Sequence, residues 1–336
     1  MTRSTPVVIG LTLIGALLAA CSSSGTAPNP PAPPGPVLSG TFTSGITASA
    51  ALYGGVTAPD GRIWFSEFQA SKLAAVTTSG TVTEYSTGAN TQPCGVTVGP
   101  DNNLWAGGFG GAPGNSIEKI TTGGTVTNYT IPGAHVCAIV SGPGGLLWFA
   151  DYGNDRVGTI STSGTINEYT IAAGAEPIGI AVGSDGNLWV TDFHLNVIYK
   201  ISPSATLLAT YSSGISAGFH PNLIVNAPDG NLYFEELIGS TTVGDKAARI
   251  TTGGTISELG TVSPNLDGEG EIVVGKDGNV YFAEYTAGKI AEIDVSTGHV
   301  SESSPMGSVA DIYGLVAGPD GRLWVGGNQT IWALKY

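Results

Sequence analysis

The feature that most constrains this chain is a repeat. The stretch Glu176-Pro-Ile-Gly-Ile-Ala-Val-Gly-Ser-Asp185-Gly-Asn-Leu-Trp189-Val-Thr-Asp192, followed by Val197-Ile-Tyr-Lys-Ile201, recurs with variations through almost the whole sequence. An aromatic anchor marks each copy: Trp64, Trp105, Trp148, Trp189, Tyr233, Tyr281 and Trp324, separated by 41 to 48 residues. Each anchor follows a turn, at Asp60-Gly61, Asp101-Asn102, Gly144-Gly145, Asp185-Gly186, Asp229-Gly230, Asp277-Gly278 and Asp320-Gly321. Asp-Gly between two apolar runs signals a hairpin, because the tight turn needs residues that tolerate φ > 0. A period of about 40–50 residues with four strands per unit is the mark of a β-propeller.

Within a unit, the first strand leads into the turn (Gly179 to Val182) and the second carries the anchor. The third is a short apolar run such as Val197 to Ile201, and the fourth follows a Gly turn, as in Thr165 to Tyr169. Seven first, second and third strands are legible, but only six fourth strands follow them. The missing one lies at the other end of the chain. Gly40-Thr41-Phe42-Thr43 reads like Gly80-Thr81-Val82-Thr83, while the C-terminus stops after a third strand. The expected fold is therefore all-β, a seven-bladed β-propeller of four-stranded blades whose ring is closed by an N-terminal strand completing the last blade. Such closure leaves no open sheet edge.

Residues 1–20 stand outside the repeat and read as a signal peptide: Arg3, then an apolar run from Val7 to Ala20. That run is too short, with these flanks, for a spanning helix. Leu18-Ala-Ala-Cys21 resembles a bacterial lipobox, which implies lipidation of Cys21 and an extracytoplasmic protein held at the membrane by its lipid alone. From Ser22 to Ser39 the chain is rich in Ser, Gly and Ala, with six prolines between Pro28 and Pro36. Such a segment cannot bury a core and serves as an extended tether. The expected organisation is a signal peptide at 1–20, a lipidated cysteine and tether at 21–39, and the propeller at 40–336.

Charge narrows the partners. The formal net charge is −14, and loss of Arg3 with the signal segment makes it −15. Affinity for nucleic acid comes from Lys and Arg that neutralise phosphates, so nucleic acid is not an expected partner. With 11% charged residues and 51 glycines, the composition suits a compact extracytoplasmic β-protein, expected as a monomer.

Aligned on the turns, Tyr53, Cys94, Cys137, Ile178, Asn222, Gly270 and Tyr313 share one place, the start of the innermost strand. They are expected to ring one mouth of the central channel. Cys94 and Cys137, on neighbouring inner strands, form either a disulfide or two thiols lining that channel. Three residues past the anchors stand Glu67, Asp151, Asp192, Glu236 and Glu284. One step further are Phe68, Phe109, Tyr152, Phe193, Leu237, Tyr285 and Asn328. The repeated acids either bond backbone amides of the blades or contribute to the mouth. Asp267-Gly-Glu269-Gly-Glu271 offers three carboxylates in five residues, either an oxygen-rich site for Mg²⁺ or Ca²⁺ or a solvated acidic loop. His135, His194 and His220 fall in mouth loops of adjacent blades. His194 and His220, with Asp192 and Glu236 nearby, are candidate acid–base groups or metal ligands, against the plainer reading of rim histidines. The sequence has no Gly-rich phosphate loop, nucleophile elbow or Cys-rich zinc pattern.

The repeat Gly-Ile-x-Val-Gly-x-Asp-Gly-x-Leu-Trp-Phe-x-Glu, followed by Lys-Ile-x-x-Ile-Thr-x-x-Gly-x-Ile-x-Glu-Tyr, resembles that of the virginiamycin B (streptogramin B) lyase family. The resemblance spans essentially Gly40 to Tyr336. More loosely, the chain is similar to NHL-repeat and gluconolactonase-like propellers. The lyase resemblance implies seven blades and a Mg²⁺-assisted elimination that opens a cyclic depsipeptide, using a His and a Glu in the last blade. In this chain Tyr313, within Ile312-Tyr313-Gly314-Leu315, holds the His place, and Asn328, after Trp324-Val-Gly-Gly, holds the Glu place. A second family His falls on Gly270, while Tyr53 matches the family's Tyr in the first blade. Two functions stay open. One is a propeller that binds a small molecule, peptide or protein at its mouth without chemistry. The other is a metal-assisted lyase- or lactonase-like enzyme using His194, His220, Glu236, Glu269 or Glu271.

Overall fold

The computed structural model describes residues 36–111, 115–239, 242–264, 270–306 and 312–336, and its strands form seven four-stranded antiparallel sheets. The first blade comprises Leu52–Thr57, Ile63–Glu67, Lys72–Val76 and Val82–Ser86, ordered from the channel outward. Five more blades repeat this order. The last combines Ile312–Ala317, Arg322–Gly327 and Ile331–Lys335 with Val37–Phe42 from the other end of the chain. In that closing pair Phe42 stands opposite Ile331 and Val37 opposite Lys335. The closing strand thus begins three residues before Gly40, inside the segment expected to be tether. Val37 and Leu38 remain more than half exposed, so no burial pattern marked them; backbone pairing holds them.

Burial explains the sequence pattern of a blade. Second strands such as Ile63–Glu67, Leu104–Gly108, Leu188–Asp192 and Val280–Glu284 are buried at every position. Each blade is covered on both faces by its neighbours, so these strands read as nearly continuous apolar runs. Fourth strands such as Val82–Ser86 and Ile166–Thr170 alternate between half-buried and exposed positions. The seven aromatic anchors are all fully buried.

The Asp of the turn does more than tolerate its conformation. Trp105, Trp189 and Trp324 donate their indole N–H to Asp101, Asp185 and Asp320 at 3.0–3.2 Å. Tyr233 and Tyr281 donate their hydroxyls to Asp229 and Asp277 at 2.9 and 2.7 Å. Five of the seven anchors thus find an acceptor four residues before them, whereas Asp60 is taken by Arg62 and leaves the Trp64 indole N–H without that bond. Where blade three has Gly144-Gly145, Trp148 turns instead to the Pro143 carbonyl at 3.3 Å.

Candidate functional site

The mouth is built by a slip in strand pairing. In six blades the register between first and second strands shifts across the mouth position: Leu52 to Gly55, Pro93 to Val96, Val136 to Ile139, Pro177 to Gly179, Pro221 to Ile224 and Ile312 to Gly314. A bulge of this kind bends the strand and re-aims a side chain, here toward the channel. Glycine after the mouth residue then lets neighbouring inner strands meet backbone to backbone. A Cβ on Gly95 would fall 2.0 Å from the Cys137 carbonyl oxygen, and one on Gly314 would fall 2.1 Å from that of Tyr53.

The result is a cavity of about 360 Å³ lined by all seven mouth residues, Tyr53, Cys94, Cys137, Ile178, Asn222, Gly270 and Tyr313. An arc of touching aromatic rings borders it. Tyr285 packs on Tyr313 (ring centroids 4.9 Å apart), Tyr313 on Tyr53 (4.7 Å) and Tyr53 on Phe68 (5.0 Å). Phe68 meets Phe109 (6.2 Å), and Phe109 meets both His135 (4.8 Å) and Tyr152 (6.2 Å). The signal for this arc was the alignment of two positions: the start of the first strand and the residue after the repeated acid. Its continuity depends on contacts between blades, which a single repeat cannot show.

Cys94 and Cys137 have Cα atoms 4.8 Å apart and are disulfide-bonded across the inner strands of blades two and three. Natively purified protein, alkylated without reductant and measured by mass, is expected to show neither cysteine modified. Two alkylated thiols would rule the bond out.

Several expected site residues lie elsewhere. Glu236 is fully buried and does not line the cavity. It belongs to the blade interior, beside Glu258 and Lys246, and accepts from the Ser216 amide at 3.3 Å. Opposite it in register is Pro221, while His220 stands opposite Leu237; successive strand positions face opposite ways, so His220 and Glu236 do not converge. His220 is half-buried, donates Nδ1–H to the Phe193 carbonyl at 2.7 Å and stacks on the Phe193 ring at 4.7 Å. His194 is exposed on a turn. Neither histidine lines the cavity. Asn328 does not line it either; its backbone carbonyl accepts the Ala51 amide at 2.9 Å.

The repeated acids are structural. Glu67, Asp151, Asp192, Glu236 and Glu284 are all fully buried. In blades one, five and six, each Glu faces an outer-strand Glu that pairs with a Lys: Lys72–Glu84 at 2.5 Å, Lys246–Glu258 at 2.6 Å and Lys289–Glu302 at 2.6 Å. Each Lys also donates to a hydroxyl of the loop entering the blade, Thr47, Ser216 or Ser263. Burial pushes Glu67 up to about 8 and Glu284 up to about 9, and the negative charge of Glu84 or Glu302 nearby adds to the rise. Burial also pushes those partners up, but Lys and Ser/Thr hydrogen bonds outweigh it and hold them below the ordinary carboxylate range.

This arrangement predicts an inverted pH dependence. A carboxyl whose folded pKa is raised adds stability that is fully present below the unfolded pKa and is lost as pH rises through the folded value. The melting temperature should therefore fall between about pH 5 and pH 9. Glu67→Gln and Glu284→Gln should flatten that slope and stabilise the protein at pH 8, on the order of 2 kcal/mol each. A thermal-melt series showing both variants less stable than the parent at pH 8 would contradict the burial cost assigned to the two carboxyls.

Asp267 and Glu269 lie outside the described residues; Glu271 lines the cavity. Among the described residues no group of three His, Cys, Asp or Glu side chains converges. The described lining carries one carboxylate, Glu271, so at most one of the three expected ligands is placed at the cavity.

Fold and cavity together define a channel-mouth propeller: a seven-bladed ring with an aromatic-bordered cavity at the mouth of its channel. The virginiamycin B lyase family profile matches residues 42–209 and 112–331, and the chain belongs to that family. It is 26% identical to the virginiamycin B lyase of Nocardia farcinica (strain IFM 10152) over 231 residues, covering 69% of this chain and 76% of the relative. A solved streptogramin B lyase structure superposes with a TM-score of 0.75 at 28% identity, covering 88% of this chain and 96% of that one. A catalytically inactive single-residue variant of Staphylococcus aureus virginiamycin B lyase with quinupristin superposes with a TM-score of 0.76 at 27% identity, covering 86% and 96%.

Proposed function

We propose that this protein is a lipid-anchored, extracytoplasmic propeller that binds a small molecule or peptide with aromatic or apolar surface at its channel mouth and leaves it chemically unchanged. One observation carries the reading. The place where the family resemblance puts a catalytic His holds Tyr313, which is 7% exposed and packed between Tyr53 and Tyr285 as part of the aromatic arc. Aromatic faces and edges suit stacking and apolar burial; they do not move protons at neutral pH. The lipid anchor is supported by Leu18-Ala-Ala-Cys21.

The lyase- or lactonase-like alternative has one described carboxyl in the cavity to draw on, Glu271. Quinupristin, present with the Staphylococcus aureus relative, is a suitable probe. Titration followed by intrinsic fluorescence is expected to show saturable one-to-one binding, weakened at least tenfold in Tyr53→Ala, with the ligand recovered intact. Saturable binding that Tyr53→Ala leaves unmoved would remove the mouth as the site.

A further inference from the structure

Glu271 is the one carboxyl among the described cavity-lining residues, and no Lys, Arg or His lines the cavity with it. It stands where the alignment of repeats gives no acid in any other blade: the residue after the mouth position is Gly54, Gly95, Ala138, Gly179, Leu223 or Gly314. Its position is defined. A Cβ built on Gly54 would lie 2.8 Å from Glu271 Oε2, so the carboxyl rests against the backbone just after Tyr53. Its amide donates to the Tyr313 carbonyl at 2.9 Å. The carboxyl thus rests against the strand that carries Tyr53 and its backbone is bonded to the strand that carries Tyr313, while Val96, Ile139, Ile180 and Ile224 make much of the remaining lining apolar.

We propose that Glu271 and the Tyr53 and Tyr313 rings recognise a tertiary or quaternary ammonium group on the ligand. The inference rests on the mouth being the ligand site. Aromatic faces attract cations, and the carboxylate supplies the counter-charge inside an apolar channel. A compact primary ammonium is strongly hydrated and costly to strip of water; an alkylated one loses less and fills the apolar wall. The acidic chain, at −14, also favours cation entry. Burial raises Glu271 to about 7, so an arriving cation offsets an existing desolvation penalty.

The test compares benzyltrimethylammonium with neutral N,N-dimethylbenzamide, titrated into the purified full chain at pH 8 and followed by fluorescence or ligand-observed NMR. The cation is expected to bind at least tenfold more tightly than the neutral ligand. Glu271→Gln is expected to erase that preference and, because it removes a charge that burial disfavours, to leave the melting temperature at pH 8 no lower than that of the parent. Equal binding of both ligands to the parent protein, or a preference that survives in Glu271→Gln, overturns the ammonium assignment alone. Binding of neither ligand overturns the mouth reading with it. The parent protein also supplies a check independent of the variant. If Mg²⁺ or Ca²⁺ displaces the ammonium where Na⁺ at equal ionic strength does not, the site belongs to a metal and the proposal fails.

Discussion

Incubated with quinupristin and Mg²⁺, the purified protein is expected to return the depsipeptide ring closed, with turnover about 10³-fold or more below that of an active family lyase. Elimination needs a base to remove the proton α to the ester carbonyl and an acid to assist the departing oxygen. A positioned acid or base contributes roughly 10²–10⁴-fold each. At the two places the family resemblance assigns to these roles stand Tyr313 and Asn328. A phenol is a poor base at neutral pH, and a carboxamide exchanges no proton. Asn328 is also outside the cavity lining. His220, the nearest substitute by sequence, spends its Nδ1–H on the Phe193 carbonyl. Chromatography of the reaction decides the matter. Family-like ring opening that is abolished by Glu271→Gln or His220→Ala would replace the binding reading with an enzyme.

Deleting Val37–Phe42 is expected to cost about 5 kcal/mol, a large share of the net stability of a folded protein, and to promote aggregation. The deletion leaves Ile331–Lys335 as an open edge, ready to pair with another chain. It also removes Phe42, which stacks on Trp324 at 5.4 Å and covers Gly80 of the first blade. The Ser39 hydroxyl bond to the Ala333 carbonyl, at 2.8 Å, goes with it. Phe42→Ala alone, at a half-buried position, should cost roughly 2–3 kcal/mol. The two variants together separate closure from packing. A truncated chain that melts like the parent protein and stays monodisperse would show that the N-terminal strand does not close the ring.

Much of the protein was legible because a repeat is read seven times. Trp64, Trp105, Trp148, Trp189, Tyr233, Tyr281 and Trp324 set blade number and strand order, since each anchor must be buried between two blades whatever lies around it. The same alignment placed Tyr53, Cys94, Cys137, Asn222 and Tyr313 at the channel, because equivalent positions in a ring face the same axis. Local periodicity carries this information in full.

Orientation and partnership were decided only by the tertiary structure. Glu236 and His220 are close in the alignment of blade five yet face different surroundings, since their strands pair Pro221 with Glu236 and His220 with Leu237. The acids at the ends of second strands could serve the blades or the mouth by sequence, and Glu67 and Glu284 turn into their blades toward Glu84 and Glu302. Those partners lie 17 and 18 residues further along the chain, on the outer strands, and no local pattern links them. Glu271 read as one of three acids in a loop; Gly54 of a different blade, against which its carboxyl rests, makes the space it occupies. A sequence repeat specifies what each blade is made of, and only ring closure decides which side chains of different blades share a wall.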